Sequence, residues 1–505
     1  MRREIALLLM ALAALPATAD PRYQTVDVPM HIYSGGWEHY VGGGLAAFDC
    51  NGDGLPELFA AGGSAPATLL VNRSPPGGTI RFLAETPQSL RLNSVTGAYP
   101  LDIDSDGTLD LVILRAGENL LMKGGSDCAF SPFQSLGFVS ADRWTTAFSA
   151  TWEAGRSLPT LAFGNYVDRS DPDGPFRACD VAMLYRPDGS AYAAPLALSP
   201  GHCPLSMLFS DWGRTGRADL RISNDRHYYV DDGEEQMWAM EDLPRLYDAA
   251  DGWKAHKLWG MGIASRDLTG DGLPEVFLTS MGDQRLQLPA GNGRPEYTDA
   301  PYALGTTAHR PYMGDDGRPS TGWHVAFGDV QNDGCDDIFI TKGNVEQMPD
   351  SAMEDPNNLL IQNAERTFTE MGAESGVASL HRGRGAAMVD LNADGLLDIA
   401  VVNRRAPLEV WQNITPEPGN AISVSVRQPA PNVNAVGAWI EVRADGVIQS
   451  REITVGGGHA GGSAGPEHFG LGPAEMAELR VIWPDGTMSP WVERPANVYA
   501  THAER

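Results

Sequence analysis

Nine-residue stretches with oxygen-bearing side chains at positions 1, 3, 5 and 9 and glycine at position 6 occur five times in the chain. The richest holds Asp102, Asp104, Asp106 and Asp110 around Gly107. The others hold Asp49, Asn51, Asp53 and Glu57; Asp267, Thr269, Asp271 and Glu275; Asp329, Gln331, Asp333 and Asp337; and Asp390, Asn392, Asp394 and Asp398. Oxygens on alternate residues of a tight loop converge, and six to eight converging oxygens are what a hard cation such as Ca²⁺ requires. Position 7 adds its backbone carbonyl whatever the side chain, which brings Leu55, Thr108, Leu273, Cys335 and Leu396 into the set. The glycine supplies the positive φ that turns the chain around the ion. Sixteen carboxylates occupy these positions, three or four per loop, so about five Ca²⁺ per chain are expected.

An EF-hand makes a similar demand, but it also needs a bidentate Glu at position 12 and a helix on either side. Position 12 here falls on Ala60, Ile113, Leu278, Ile340 or Val401, inside apolar β-type runs such as Leu111–Leu114 and Ile338–Thr341. These loops therefore join strands. Plain Asp/Gly turns without an ion are the alternative, and five copies in one register weigh against it.

The elements that must position the loops repeat with them. First positions fall at 49, 102, 267, 329 and 390, and the interval from 102 to 267 has room for two more units. One is the stretch from Asp211 to Asp219, which keeps Gly216 but has lost the central acid. The other is aligned through the strand that follows it, Leu161–Asn165 matching Ile399–Asn403. This places Trp152, Ala154, Arg156 and Thr160 at ligand positions and puts the Arg156 cation near the place of the ion. Seven units of 50 to 62 residues result. Each reads as four short strands: Gly44–Phe48 into the loop, Leu58–Ala61 out of it, then Thr68–Val71 and Arg81–Ala84. Four-stranded units repeated radially are the blades of a β-propeller, whereas an open solenoid would need capping repeats. The last unit has only two strands beyond its loop, and Tyr23–Val28, which resembles Thr367–Glu370, precedes the first unit. That N-terminal strand is expected to complete the seventh blade. The expected fold is all-β: a seven-bladed propeller over 20–412 and a small β domain over 413–505, after the linker Thr415–Gly419.

The loops and their flanks resemble the FG-GAP/VCBS repeats of calcium-binding propellers, the class that includes integrin α-chain heads. The region after Asn413 is similar to the ASPIC/UnbV domain, through Val436–Ala438, Gly456–Gly458, the HFGLG run His468–Gly472 and the WPDG run Trp483–Gly486. The order of parts resembles the cartilage acidic protein family, including its bacterial members. That resemblance implies structural calcium and a role in adhesion or recognition. It does not extend to units three and four, where the acids are missing. Read from its residues, the C-terminal region is a β domain: Ile422–Arg427, Trp439–Arg443 and Leu479–Trp483 alternate in polarity. Gly456–Gly465 has neither a following helix nor a phosphate-loop pattern, and is expected to be a flexible connection between strands.

Met1–Glu4 is followed by an apolar run from Ile5 to Leu15 and by Ala17-Thr-Ala19, the pattern of a secretory signal peptide over 1–19. The run is too short for a permanent span, so export to the periplasm or outside the cell is expected, with no membrane span. A net charge of −28 opposes nucleic acid and anionic membranes as partners. Export permits disulfides, and the five cysteines leave at least one unpaired within the chain. Cys179 is expected to pair with Cys203. Cys50 and Cys335 lie inside cation loops, which are already constrained.

Motifs for nucleophilic or zinc hydrolysis, G-x-S-x-G and H-E-x-x-H, do not occur. His324, His381, Arg382 and Arg384 precede the sixth and seventh loops and are placed to face a channel, and Asp168, Asp171 and Asp173 form a further acidic loop. Hydrogen bonding to connecting backbone accounts for such His and Arg side chains without catalysis. The function expected is binding of a protein or glycan ligand. The alternative is a calcium-dependent enzyme, cyclase-like or hydrolytic, with its site at the channel mouth.

Overall fold

The computed structural model describes residues 19–171, 178–225, 233–313 and 317–503. The expected signal segment, but for Ala19, and Asp173 lie outside them. The protein is all-β, and the one α-helix among the described residues is the single turn Gly372–Ser375.

Each unit is a four-stranded antiparallel meander. In the first, Leu45–Phe48, Glu57–Ala60, Thr68–Asn72 and Phe82–Ala84 pair in order. Six successors follow the same plan, and the repeated loop always joins the first strand to the second. The seventh has Arg382–Val389, Asp398–Arg404 and Glu409–Asn413, and its fourth strand is Tyr23–Val26, paired antiparallel so that Tyr23 faces Asn413 and Val26 faces Val410. The N-terminal strand thus takes the place foreseen for it, although it ends two residues sooner.

The first strands contact one another in cyclic order, and Arg382–Val389 of the seventh unit packs back on Leu45–Phe48 of the first. Side chains interdigitate between neighbouring sheets. Ala147 and Leu184 of the third unit pack with Met207 and Trp238 of the fourth, and Phe277 of the fifth packs with Val325 and Ile338 of the sixth. Both faces of each sheet are therefore buried, which explains why the second strands are nearly continuous apolar runs.

The C-terminal domain has two sheets. Asn420–Arg427 lies between Glu467–Gly472 and Val498–Ala503, and Trp439–Ala444 lies between Val447–Glu452 and Met476–Ile482. Phe469 and Leu471 of the HFGLG run enter its core beside Ile440, Leu479 and Trp483. The WPDG run is a turn closed by the Gly486 N–H donating to the Trp483 carbonyl at 2.8 Å.

Three sequence expectations are corrected. The glycine-rich segment is not a loose connection: from Val455 to Ala464 it runs among the first strands of the seven units. Ser463 and Ala464 pair parallel with Ala47 and Phe48, while Gly461, Val455 and Gly458 bridge to Ala98, Ala150 and Ile263. Cys50 is bonded to Cys128, tying the first loop to the second unit, because the tight turn at Ser126–Cys128 brings Cys128 beside it; Cys335 is the free cysteine. In the third loop the cation is not Arg156, which is exposed and donates to the Pro187 carbonyl at 2.9 Å, but Arg186, whose Nε lies 2.8 Å from Glu153. Cys179 pairs with Cys203 as expected.

Candidate cation sites

All five acidic loops are folded by the same hydrogen bonds. The position-1 carboxylate accepts from the position-6 glycine N–H, at 2.9 Å in Asp49, 2.8 Å in Asp102, 3.0 Å in Asp267, 2.6 Å in Asp329 and 2.7 Å in Asp390. The position-5 carboxylate accepts from the N–H of position 7, as Asp53 does from Leu55, Asp106 from Thr108, Asp271 from Leu273, Asp333 from Cys335 and Asp394 from Leu396. The position-9 carboxylate reaches back to the N–H of position 2, at 2.9 Å in Glu57, 2.8 Å in Asp110, 2.7 Å in Glu275, 3.0 Å in Asp337 and 2.8 Å in Asp398. Gly107 has φ of 91°, and its four counterparts are also left-handed, which is why glycine stands there.

Position 3 divides the loops in two. Where position 9 is Glu, its longer side chain takes up the position-3 donor: Asn51 Nδ2 lies 3.0 Å from Glu57, and Thr269 Oγ1 3.2 Å from Glu275. Where position 9 is Asp, it does not reach. In these loops Asp104 Oδ1, Gln331 Oε1 and Asn392 Oδ1 are buried oxygens without a hydrogen-bond partner, whereas Asn51 Oδ1 accepts from the Asp53 N–H at 2.9 Å. A buried acceptor left unpaired costs about 1–3 kcal/mol, and here the same acceptor is left unpaired in three loops. In the second loop, Asp102, Asp104 and Asp106 have oxygens within 4.8 Å of one another.

The electrostatics agree. Burial pushes Glu57, Asp110 and Glu275 up to about 7 and Asp267 up to about 6, with repulsion from neighbouring loop acids adding to it. Asp329, Asp337 and Asp398 are raised for the same first reason. Carboxylates desolvated together in one loop favour a positive charge among them, and the donor set of hard oxygens fits Ca²⁺. In the second loop the chain provides a cation of its own: Lys123 bonds Asp104 and lies 2.7 Å from Asp106.

The third and fourth loops are satisfied differently. Asp211 keeps the turn, accepting from the N–H groups of Thr215 and Gly216, both at 2.7 Å. At position 9, Asp219 is satisfied by Tyr247 Oη at 2.7 Å, Met240 N at 2.9 Å and Trp212 Nε1 at 3.0 Å. In the third loop Thr160 donates to Glu153 at 3.0 Å, beside Arg186. Donors from the protein thus satisfy the remaining carboxylates of these two loops.

The C-terminal domain lies on this loop side. Tyr499 Oη donates to Asp390 at 2.5 Å, Glu452 accepts from the Asp211 N–H at 2.7 Å, Arg451 pairs with Asp336 at 2.8 Å, and His468 Nε2 lies 2.7 Å from Asn332 Oδ1. Of the polar groups expected to face a channel, Arg384 is buried over the Trp323 ring at 3.9 Å and donates to the Val345 carbonyl at 2.7 Å, whereas His381 is exposed. His324 Nδ1 accepts from the His459 N–H at 3.0 Å.

Residues 49–113 and 267–340 match the FG-GAP-like repeat family, and residues 428–504 match the ASPIC and UnbV family. These matches fall on the acidic-loop repeats and on the C-terminal region, where the loops and the HFGLG and WPDG runs imply them. It is similar to cartilage acidic protein 1 of Mus musculus, with 23% identity over 477 residues that span 88% of this chain and 71% of that protein. Among solved structures it is similar to BBS1N, crystallised in complex with ARL6DN, at TM-score 0.47 and 10% identity, covering 78% of this chain and 97% of that one. It is also similar to an Agrocybe aegerita lectin that recognises non-reducing terminal N-acetylglucosamine, at TM-score 0.40 and 15% identity, covering 72% and 93%.

Proposed function

We propose that this chain is an exported binding protein: a closed seven-bladed β-propeller over 20–412, stabilised by about five Ca²⁺, with an ASPIC/UnbV-like β domain over 413–505. The ligands of each ion are the side chains at positions 1, 3, 5 and 9 and the carbonyl at position 7 of the loops beginning at Asp49, Asp102, Asp267, Asp329 and Asp390. Three unpaired buried oxygens at one repeated position carry the calcium reading. Their Irving–Williams rivals are disfavoured by a donor set of carboxylate, amide and carbonyl oxygens, and Mg²⁺ by its demand for a tight octahedron.

The activity proposed is recognition of a protein or glycan ligand at the cell envelope or outside the cell. Two disulfides suit an oxidising compartment. No helix among the described residues is long and apolar enough to cross a membrane. The space that an enzyme of this architecture would use as a channel site holds the chain's own backbone, and Arg384 and His324 are engaged with the protein. Recognition is therefore assigned to the exposed surface and not to a channel. The test is a glycan array and envelope-protein binding read in millimolar calcium and again in EGTA. Saturable binding that EGTA abolishes is expected; turnover of a bound small molecule, with no retained ligand, contradicts the proposal.

A further inference from the structure

The segment Val455–Ala464 is held almost wholly by its backbone. Its carbonyls accept from the chain around it: Val455 from Ser149 Oγ at 2.6 Å, Gly457 from Tyr99 Oη at 3.0 Å, Gly458 from Ser206 Oγ at 2.7 Å, and Ala460 from the Ala98 N–H at 3.1 Å. Its own Gly457 and Gly458 N–H groups donate at 2.7 Å to the Met207 and Ile263 carbonyls. These partners belong to the first strands of four different units. None of the bonds reads a side chain of the segment.

The fit excludes side chains as well. A Cβ on Gly97 or Gly44 would lie 1.8 Å from the Ala460 carbonyl oxygen, and one on Gly461 would lie 2.2 Å from the Leu45 oxygen. Gly457 and Gly458 have φ of 71° and 57°, a region costly for other residues. One large side chain is admitted, His459. Its Nδ1 lies 3.1 Å from the Met261 carbonyl, its Nε2 accepts from the Gly42 N–H at 3.2 Å, and its ring packs edge-on against Trp323 with centroids 4.9 Å apart. The histidine is fully buried, in the tautomer that donates from Nδ1.

We propose that the space within the first strands is a peptide-binding site, selective for a glycine-rich segment carrying one histidine, and that Val455–Ala464 is its resident ligand in cis. Small-molecule access is closed while the segment is seated. The C-terminal domain is thereby threaded onto the repeats as well as docked against them. This holds whether or not the loops bind calcium.

The test uses the full chain with Gly458→Val and Gly461→Val together, which stop its own segment from seating, and a fluorescein-labelled synthetic peptide of residues 453–466. Fluorescence polarisation in calcium is expected to show saturable binding to the variant and none to the wild type. Replacing histidine in the peptide by alanine is expected to weaken binding at least tenfold. Binding to wild type and variant alike, or to neither folded protein, overturns the proposal. Should the variant not fold, hydrogen exchange on the wild type decides: the Gly457 and Gly458 amides are expected to exchange as slowly as those of Met207 and Ile263. Exchange a hundredfold faster at the two glycines overturns the proposal.

Discussion

Replacing Gly97 by alanine adds one methyl group to a site with no room for it. The new Cβ would lie 1.8 Å from the Ala460 oxygen, 2.7 Å from its carbonyl carbon and 2.9 Å from its Cβ. Two of these atoms are backbone, so no rotamer change relieves the contact and the threaded segment must shift as a whole. Overpacking of a filled interior costs about 1–3 kcal/mol. The shift also breaks the 3.1 Å bond from the Ala98 N–H to Ala460, and an unpaired buried group adds about 1–3 kcal/mol. A total of about 2–6 kcal/mol is expected. With about 2 cal/mol/K of unfolding entropy per residue, a chain of this size loses roughly 1 °C in Tm per kcal/mol, so Gly97→Ala should melt about 2–6 °C lower. Gly465→Ala is the control, since nothing lies within 4 Å of its added Cβ, and it should melt within about 1 °C of the wild type. Calorimetry in calcium gives both values, and hydrogen exchange should show faster exchange at the Ala98 amide in the first variant. An unchanged Tm for Gly97→Ala, with the Ala98 amide still protected, would refute the reasoning.

Lys123→Gln should tighten cation binding at the second loop severalfold, because a tethered ammonium no longer competes for Asp104 and Asp106; terbium luminescence titration of wild type and variant measures it, and equal affinity contradicts the prediction. Asp106→Ala should raise hydrogen exchange in the second unit in millimolar calcium far more than Thr215→Ala does in the fourth, where Asp219 is satisfied by Tyr247 and Trp212; similar effects at the two loops would reduce the acids to surface turns. Acid should destabilise the protein through its buried histidines. Burial lowers His324 from its ordinary value near 6.5 to about 4, and lowers His459 and His468 to about 3. Their contribution is complete above pH ~6.5 and is lost as pH falls from there toward 3, since the unfolded chain takes up protons that the fold refuses. His468→Gln should therefore flatten the fall in Tm between pH 6.5 and 4, and an unchanged slope counts against it.

The fold of the acidic loops was legible because it is local: nine consecutive residues carry the whole pattern, and the strands on either side follow from their own apolar runs. The pairing of Tyr23–Val26 with Glu409–Asn413 was legible because the last unit was one strand short. What escaped depends on distant approach. A run such as Gly456–Gly458 reads the same whether glycine gives freedom or admits a neighbouring backbone, and only the facing Gly44 and Gly97 tell the two apart. Cys50 pairs with Cys128 across two units, so no local spacing marks it. Arg186 replaced Arg156 as partner of the third loop because the side chain arrives from the third strand of the unit. The histidine of the HFGLG run bonds Asn332, a residue of the sixth loop, and nothing near either residue in the sequence announces that contact.

Five acidic loops are proposed to hold ions, and the third and fourth are not. Native mass spectrometry of the mature protein, exchanged into a volatile buffer from millimolar calcium, counts them directly. The account predicts five Ca²⁺ per chain, falling to four in Asp337→Ala and staying at five in Asp219→Ala. Two or fewer ions on the wild type, or loss of an ion in Asp219→Ala, contradicts it.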